Sequence, residues 1–331
     1  MRFSSDRRLN RLAATVGVFV VGVAVLFLNV SAPFAQEPYV HVNPVIAKLS
    51  RGEHVFGVPV TDISLVNARA LAREPLIDYI TIDFEHSILD MQQLEIFMAG
   101  LIDRRAIREK QSLEHNLAVF IELPQYSSEM TVYTRKNALD IGVMGFVFSN
   151  LETKEDALRL VKSMRLGRSK SDPLYEPAGL RLGGGGIAAW FWGLTGQQYL
   201  QRADTWPLNP RGDLLAFATI ETELGLRNMD EIAQVPGIGL LYFTSGGDLG
   251  TSLGVPSNDP AISAARQSML KVCAARKKIC GGTVTTANVE RLMADGYQLL
   301  TVNPGADGGI MPATDAAIRV GRAALAKQNK K

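Results

Sequence analysis

Three ionisable residues lie within four positions in the segment TIDFEHSILD, residues 81–90. Asp83, Glu85 and His86 follow an apolar run, YITI, that is typical of a buried strand. Ionisable groups at the end of such a strand cost free energy unless they are paired or take part in chemistry. A histidine near carboxylates is the usual general acid or base at neutral pH, so His86 is the candidate proton carrier. The alternative interpretation is a hydrogen-bonded core histidine.

Other carboxylates end or follow later apolar runs, among them Glu122, Glu221 and Asp248. Glu221 and Asp248 close consecutive predicted strands, and two such carboxylates repel each other unless a cation lies between them. Hard oxygen ligands with open positions suit Mg²⁺ or Mn²⁺, and Co²⁺ is a further candidate. The alternative for each residue is helix capping, because each begins a turn before a helical pattern. Asp140, in ALDIG, is the predicted orienting partner of His86, and its alternative is a surface aspartate at a helix end.

The elements that must position these residues alternate between strand-like and helix-like patterns. Eight strand candidates cover residues 54–60, 78–83, 117–122, 144–148, 214–221, 239–244, 279–284 and 297–303. Amphipathic stretches separate them, which predicts a (β/α)8 TIM barrel with its active site at the carboxyl ends of the strands. An open doubly wound sheet is the second interpretation, but no G-x-G-x-x-G follows the first strand.

A long excursion at 168–212 separates predicted strands four and five. It contains all three tryptophans, Trp190, Trp192 and Trp206. Long connections in compact domains are usually functional, so this one is predicted to cover the site as a lid.

Residues 1–35 have the order of a secretory signal, with a basic start, an apolar run and small residues before Gln36. The alternative is an uncleaved membrane anchor. Both place the folded part outside the cytoplasm, in the periplasm or secreted, and membrane contact is expected only if the leader is uncleaved. The predicted organisation is a leader at 1–35, a linker at 36–45, a barrel at 46–327 and a basic tail at 328–331.

The formal charge of +2, without a basic cluster interleaved with aromatic residues, excludes a nucleic-acid interface. The only two cysteines are Cys273 and Cys280. They form no C-x-x-C zinc motif, and two packed thiols are favoured over a disulfide, although an exported compartment permits one.

Several motifs together resemble the HpcH/HpaI aldolase and citrate lyase family of metal-dependent pyruvate aldolases, over roughly residues 45–305. IDFEH is similar to the family's IDGEH, LDIGVMGFVF to its strand-four entry, and PAGLRLGG to its PAGIRG. The segment beginning IETELG and ending SGGDLGTSLG follows the family's pattern at the metal ligands. The order and spacing of these motifs make the match specific.

This resemblance implies a barrel of the phosphoenolpyruvate/pyruvate-binding type and a lyase of the aldehyde-lyase or oxo-acid-lyase class. Glu221 and Asp248 would hold the divalent metal, and His86, paired with Asp140, would move a proton during retro-aldol cleavage. Asp83 and Glu85 would not bind the metal directly but would tune metal-bound water and orient the ligands. The resemblance also implies a homo-oligomer.

The residues expected to meet the substrate include Arg181, on a substrate loop, and the backbone amides of Gly246 and Gly247, which would bind the carboxylate of a 2-oxo acid. Glu122 and Thr219 stand where the family has an arginine and a glutamine, and both are predicted to face the substrate. For Glu122 this would be a cationic or polyhydroxylated substrate, and the alternative is a third acidic ligand of the metal. The main prediction is a metal-dependent carbon–carbon lyase acting on a small 2-oxo or hydroxy acid. The alternatives are a metal-dependent hydrolase and an exported protein that only binds a small organic acid.

Overall fold

The computed structural model describes residues 39–123, 128–183, 185–302 and 312–328. The predicted leader at 1–35 and the last three residues of the predicted basic tail lie outside these ranges. None of the helices within the described ranges has the length and the apolar character that a membrane crossing requires.

The described strands form one parallel sheet that closes on itself. Their bounds are β1 Val55–Val60, β2 Tyr79–Asp83, β3 Ala118–Glu122, β4 Gly145–Phe148, β5 Thr205–Trp206, β6 Leu214–Thr219, β7 Leu240–Phe243, β8 Ile279–Val284 and β9 Leu299–Val302. The order is β4-β3-β2-β1-β9-β8-β7-β6, and pairing of β4 with β6 closes the ring, while the two-residue β5 is added to β6. The predicted eight-stranded barrel is therefore confirmed, and the open sheet is wrong.

Helices connect the strands, as a parallel sheet requires. They are α1 Pro44–Leu49, α2 Leu65–Leu71, α3 Met91–Gly100, α4 Arg104–Lys110, α5 Ser128–Ile141, α6 Lys154–Met164, α7 Ala188–Phe191, α8 Gly196–Arg202, α9 Glu223–Gln234, α10 Gly247–Leu253, α11 Pro260–Arg276, α12 Val289–Asp295 and α13 Pro312–Gln328. Several begin with a side-chain cap, such as Thr153 before α6, whose hydroxyl accepts from the Asp156 amide at 3.1 Å.

Closure of the barrel depends on a glycine at the start of β4. Gly145 has φ 148° and pairs with Leu215 of β6. A Cβ at this position would lie 1.9 Å from the carbonyl oxygen of Leu215. Only a residue without a side chain permits this approach of the two backbones.

Aromatic side chains fill the barrel interior beneath the carboxyl ends of the strands. The ring of Phe217 lies 4.8 Å from that of Phe120 and 5.9 Å from that of Tyr242, between centroids. Tyr79 packs against Phe120 at 5.8 Å. The hydroxyls of Tyr79 and Tyr242 lie 2.8 and 2.6 Å from Thr301 Oγ1, so the buried phenols have hydrogen-bond partners. The carboxyl-end rim therefore rests on a packed layer.

The amino end of the barrel is covered by α1, and the described part of the predicted linker contributes to this cover. Val42 and Asn43 are buried, and the Asn43 side chain caps α1 and donates to the carbonyl oxygen of Asp213 at 3.0 Å. The packed body therefore begins before residue 46, because these side chains fill the base rather than connect two bodies.

The tryptophan-containing excursion lies at the amino end, so its predicted role as a lid over the site is wrong. It follows α6 and precedes β6, and a connection from a helix to the next strand lies at the end opposite the active site. Trp192 is fully buried and donates from Nε1 to the carbonyl oxygen of Gly142 at 2.8 Å, just before β4. The excursion supports the base of the barrel.

Cys273 and Cys280 form a disulfide that joins the end of α11 to β8. The expectation of two separate thiols is therefore wrong. The two Cα atoms lie 5.9 Å apart, within the range that a disulfide spans.

Candidate active site

The carboxyl ends of neighbouring strands bring the predicted acidic residues to one rim. Asp83 and Glu122 are the last residues of β2 and β3, and they face each other in the strand register. Glu221 follows β6 by two residues, and Asp248 lies in the first turn of α10 after β7. Glu85 completes the group, because its charge acts on both Glu122 and Glu221.

His86 is paired with Asp83. The His86 Nδ1 atom lies 3.0 Å from Asp83 Oδ2, and the backbone amides of Glu85 and His86 each donate to Asp83 Oδ1 at 2.9 Å. A carboxylate only accepts hydrogen bonds, so in the neutral ring this contact places the proton on Nδ1 and makes Nε2 the basic nitrogen. The turn after β2 therefore builds the histidine–carboxylate pair from residues three positions apart.

The charges around His86 favour its protonated form. Desolvation lowers its pKa, but the nearby charge and hydrogen bond of Asp83, followed by the charges of Glu85 and Glu122, more than offset this, so the pKa of His86 is raised above 6.5. The side chain is 74% exposed, so Nε2 remains accessible to a small molecule.

Glu122 is the most strongly perturbed carboxyl group at the rim. Burial raises its pKa to about 7, and the charges of Asp83, Glu221 and Glu85 add to the shift, while the hydrogen bond from Ser149 opposes it. Ser149 Oγ donates to Glu122 Oε1. Sequence reasoning missed Ser149, although it directly follows predicted strand four and so occupies a position that faces the rim.

Glu221 is buried and is held by two donors that sequence reasoning also missed. The backbone amide of Asn150, which has φ 50°, donates to Glu221 Oε2 at 3.1 Å. The Thr244 side chain forms a second hydrogen bond. Burial raises the pKa of Glu221, with added repulsion from Asp248 and Glu85, and these two bonds only partly oppose the shift.

Asp248 lies beside a backbone turn that requires glycine. Gly246 precedes α10 with φ 92°, and a Cβ there would lie 2.7 Å from Ile262 Cγ2. The Gly247 amide makes only a 3.4 Å contact with Ser245 Oγ, and a Cβ at Gly247 would meet nothing closer than 3.6 Å. Gly247 therefore leaves the backbone next to Asp248 open to a ligand, while Gly246 is buried and permits the turn.

The acidic rim fits a hard divalent cation. Within the described ranges, no lysine or arginine forms an ion pair with Asp83, Glu85, Glu122, Glu221 or Asp248. Glu221 is buried, and a buried carboxylate without a cationic partner is costly, while Asp248 is exposed. Carboxylate oxygens are the ligands that Mg²⁺ and Mn²⁺ prefer. Among the residues described, no three His, Cys, Asp or Glu side chains are placed to hold a metal by themselves. Glu221 and Asp248 therefore form a candidate two-carboxylate site.

Asp140 and Arg181 lie away from this rim. Asp140 Oδ1 accepts from Arg181 Nη2 at 3.1 Å, and its other oxygen accepts from Lys136. Arg181 is buried and also donates to Tyr199 Oη at 3.0 Å. The predicted pairing of Asp140 with His86 and the predicted substrate-loop role of Arg181 are wrong, because both residues precede strands and therefore lie at the amino end.

Thr219 is the last residue of β6 and is fully buried. Its hydroxyl has no hydrogen-bond partner in the described part of the chain. Phe217 and Thr219 are two positions apart in β6, so their side chains point to the same side of the strand, and Thr219 is the nearer of the two to the carboxyl end.

Comparisons with known proteins agree with this architecture. The family model described as HpcH/HpaI aldolase/citrate lyase matches residues 69–311. The 4-hydroxy-2-oxovalerate aldolase of Rhodococcus jostii is 30% identical over 185 residues, which are 55% of this chain and 57% of that protein. The 2-keto-3-deoxy-L-rhamnonate aldolase of Klebsiella pneumoniae is 26% identical over 264 residues, 78% of this chain and 86% of that protein.

A solved structure supports the fold. The crystal structure of an HpcH/HpaI aldolase/citrate lyase family protein from Burkholderia cenocepacia has a TM-score of 0.64 and 24% identity, and the match covers 87% of this chain and 99% of that one. The family model spans most of the barrel described above, including the turn after β2 and the ends of β3, β6 and β7. The chain therefore belongs to the HpcH/HpaI aldolase/citrate lyase family.

Proposed function

We propose that this protein is a carbon–carbon lyase that cleaves or forms a small 2-oxo acid through its enolate. The observation that carries the proposal is the Asp83–His86 pair beside the acidic rim, in a chain of this family. The two curated relatives are named as aldolases of an oxo or a keto acid, which supports this substrate class.

His86 is the proposed proton carrier. Asp83 fixes the ring and the tautomer, so Nε2 accepts a proton from the substrate and later returns it. The raised pKa of His86 favours holding that proton while carbon–carbon cleavage leaves charge on the 2-oxo acid fragment. In this role Asp83 stabilises the imidazolium through its charge and its hydrogen bond.

Glu221 and Asp248 are the proposed ligands of a divalent cation, Mg²⁺ or Mn²⁺. When bound, the cation supplies a Lewis acid that stabilises negative charge developing on a 2-oxo group. Asn150 and Thr244 hold Glu221 in place, while the open backbone at Gly247 offers an amide to a substrate carboxylate. Glu122 and Ser149 present a polar edge to the remaining part of the substrate.

Proton exchange tests this proposal without knowledge of the aldehyde partner. The chain beginning at Gln36 is incubated with Mg²⁺ and pyruvate in D2O, quenched with a chelator and analysed by NMR for loss of methyl protons. We expect exchange in the unmutated chain and a loss of at least about a hundredfold in His86→Ala and Asp83→Asn, since general acid–base catalysis contributes about that much. Glu221→Gln should lose both exchange and calorimetric Mg²⁺ binding.

Asp140→Asn is the matched control, because it removes an aspartate at the opposite end of the barrel. We expect it to keep exchange within about twofold, given that its partners are Arg181 and Lys136. Exchange that survives Glu221→Gln in the presence of chelator would overturn the proposal. Hydrolysis of an activated acid without exchange of any tested 2-oxo acid would favour the hydrolase instead.

We also propose that the protein functions outside the cytoplasm. The basic and apolar order of residues 1–35 supports export, and the Cys273–Cys280 disulfide suits an oxidising compartment. Fractionation of cells that express the full chain, with mass measurement of the product, tests this proposal. A cytoplasmic product of full mass with reduced cysteines would contradict it.

A further inference from the structure

A cavity lies on the outer wall of the barrel, and none of the residues of the acidic rim lines it. It has a volume of about 410 Å³, within the range of small-molecule sites, roughly 300–1,000 Å³. It is bounded by the end of α3, by α4, by the segment leading to β3 and by α7 of the excursion. Its wall is largely apolar and includes Met98, Leu101, Ile102, Leu113, Met144 and Phe191.

The inner wall carries one polar side chain that stays neutral. His115 lines the cavity, and burial lowers its pKa to about 4. Its ring is hydrogen-bonded to the backbone of Trp192, which ties the cavity wall to the excursion. The interior therefore presents an uncharged surface suited to an apolar body.

The mouth of the cavity carries cations with unused donors. Lys110 Nζ donates to the carbonyl oxygen of Glu114 and, at 2.7 Å, to Asn116 Oδ1. An ammonium group has three N–H donors, so one remains for a ligand. Arg104 also lines the cavity and forms no ion pair with any residue of the described ranges.

The acidic groups at the same mouth, Asp103 and Glu114, offset this charge only in part. Asp103 caps α4 through the amides of Arg105 and Ala106 and lies 3.5 Å from Arg73, so its charge is already engaged. Glu114 also lines the mouth, and its charge acts on Lys110. The helix α4, RRAIREK, has four basic residues and one acidic residue, which leaves an excess of positive charge beside the opening.

We propose that this cavity binds an amphiphilic monocarboxylate of the fatty-acid type, with its carboxylate at Lys110 and Arg104 and its chain against the apolar wall. The charge at the mouth selects the anionic head group, and the largely apolar lining contacts the alkyl tail of the ligand. The site is separate from the proposed lyase site, because it lies on the outer wall near the amino end while the rim lies at the carboxyl end.

Binding of three ten-carbon probes tests the head group. Decanoate, decan-1-ol and decylamine are titrated below their micelle concentrations into the chain beginning at Gln36, which keeps every described element. Calorimetry gives the affinity, and quenching of Trp190 and Trp192, which line the cavity, reports the location. We expect decanoate to bind with one-to-one stoichiometry and decylamine to bind at least about tenfold more weakly, as expected for one charge-assisted hydrogen bond.

Two variants distinguish binding of the probe's alkyl tail from binding of its head group. Ala99→Phe places a ring in the partly exposed wall of the cavity and should weaken decanoate and decanol alike. Lys110→Met should weaken decanoate about tenfold and leave decanol unchanged. Lys170→Met, on an exposed turn outside the cavity, is the matched control and should bind all probes as the unmutated chain does.

Three results would overturn the proposal. One is the absence of decanoate binding, and another is equal binding of decanoate and decylamine. The third is decanoate binding that Ala99→Phe leaves unchanged, which would place the probe elsewhere. Light scattering on the same samples adds a further test, because a second copy of the chain that covers the cavity and prevents binding would also overturn it.

Discussion

The pair formed by Asp83 and His86 is local in sequence, since the histidine lies three positions after the aspartate. The two amides that donate to Asp83 Oδ1 fix the carboxylate before the ring contacts it. The orientation of His86 therefore depends mainly on the turn after β2. A change at Asp83 should act directly on the proton affinity of His86.

NMR titration of the imidazole signals tests this dependence. The pKa of His86 should lie above 6.5 in the unmutated chain and fall in Asp83→Asn, because the variant loses the nearby charge that favours imidazolium. Asp140→Asn should leave the pKa of His86 unchanged. An unchanged His86 midpoint in Asp83→Asn would contradict the pairing.

Glu122 makes a testable contribution to the dependence of stability on pH. Its pKa in the folded chain is about 7, above the ordinary value of 4.5, so the folded state binds the proton more tightly than the unfolded state. The free energy of unfolding of the metal-free protein should therefore fall as pH rises from about 4.5 to about 7. Glu122→Gln removes this loss, so the variant should exceed the unmutated chain in stability more at pH 8 than at pH 5.

Urea unfolding at both pH values measures the difference. Glu155→Gln, an exposed carboxylate in the first turn of α6, is the control and should show no such dependence. A stability difference that is the same at pH 5 and pH 8 would mean that Glu122 ionises normally.

Sequence order predicted the rim residues because each of them follows a strand. Glu122, Glu221 and Asp248 were found by this rule, and the structure brings them together. Asp140 was misplaced because it precedes β4, and residues before and after a strand lie at opposite ends of a parallel barrel. The amide of Asn150 carries no side-chain signal, so its bond to Glu221 could be found only from the structure.

Among the elements, the excursion differs most from its prediction. A long connection with three tryptophans suggested a lid, but a helix-to-strand connection must return to the amino end. All eight predicted strands formed, because continuous apolar runs between helices leave few other arrangements. The disulfide depends on the packing of α11 against β8, which two cysteines seven positions apart do not reveal.

A tryptophan in the excursion should affect stability and leave catalysis unchanged. Trp192→Phe removes the donor to the Gly142 carbonyl, and leaving this buried group unpaired costs roughly 1–3 kcal/mol. Urea unfolding should show this loss, while pyruvate exchange should stay within about twofold. Trp190→Phe is the control, because Trp190 is 63% exposed. A large loss of exchange in Trp192→Phe at unchanged stability would instead support a role of the excursion at the active site.

The whole molecule is held together at its base by elements from both ends of the chain. Asp78, just before β2, accepts from Lys48 of α1, from the Phe56 amide at 2.8 Å and from Arg322 of α13 at 3.1 Å. The ion pairs of Asp78 and the apolar side chains of α1 therefore stabilise the same end of the barrel, its amino end. Homo-oligomer formation, implied by the family resemblance, stays a prediction.

Removal of α1 should destabilise the entire barrel. Val45, Ile46 and Leu49 are 0–3% exposed, and burial of each such side chain contributes about 1.5–3 kcal/mol, as an upper estimate. A chain that begins at Ser50 should lose of order 5 kcal/mol relative to one that begins at Gln36. Urea unfolding followed by circular dichroism measures the loss.

If the shorter chain fails to fold, Ile46→Ala tests the same point, with an expected cost of about 2–5 kcal/mol. Lys170→Met, on an exposed turn, is the control. Equal unfolding midpoints for the chains that begin at Gln36 and at Ser50 would contradict a structural role for α1.

The aromatic layer of Tyr79, Phe120, Phe217 and Tyr242 has a kinetic consequence. It blocks the axis of the barrel, so nothing passes from the base to the rim. Both fragments of a cleavage reaction would have to depart through the mouth by which the parent acid entered. The fragment nearer the opening would leave first, and the one held at Glu221 would leave last. Product inhibition patterns would then show a fixed release order, with the last product competing directly against fresh substrate.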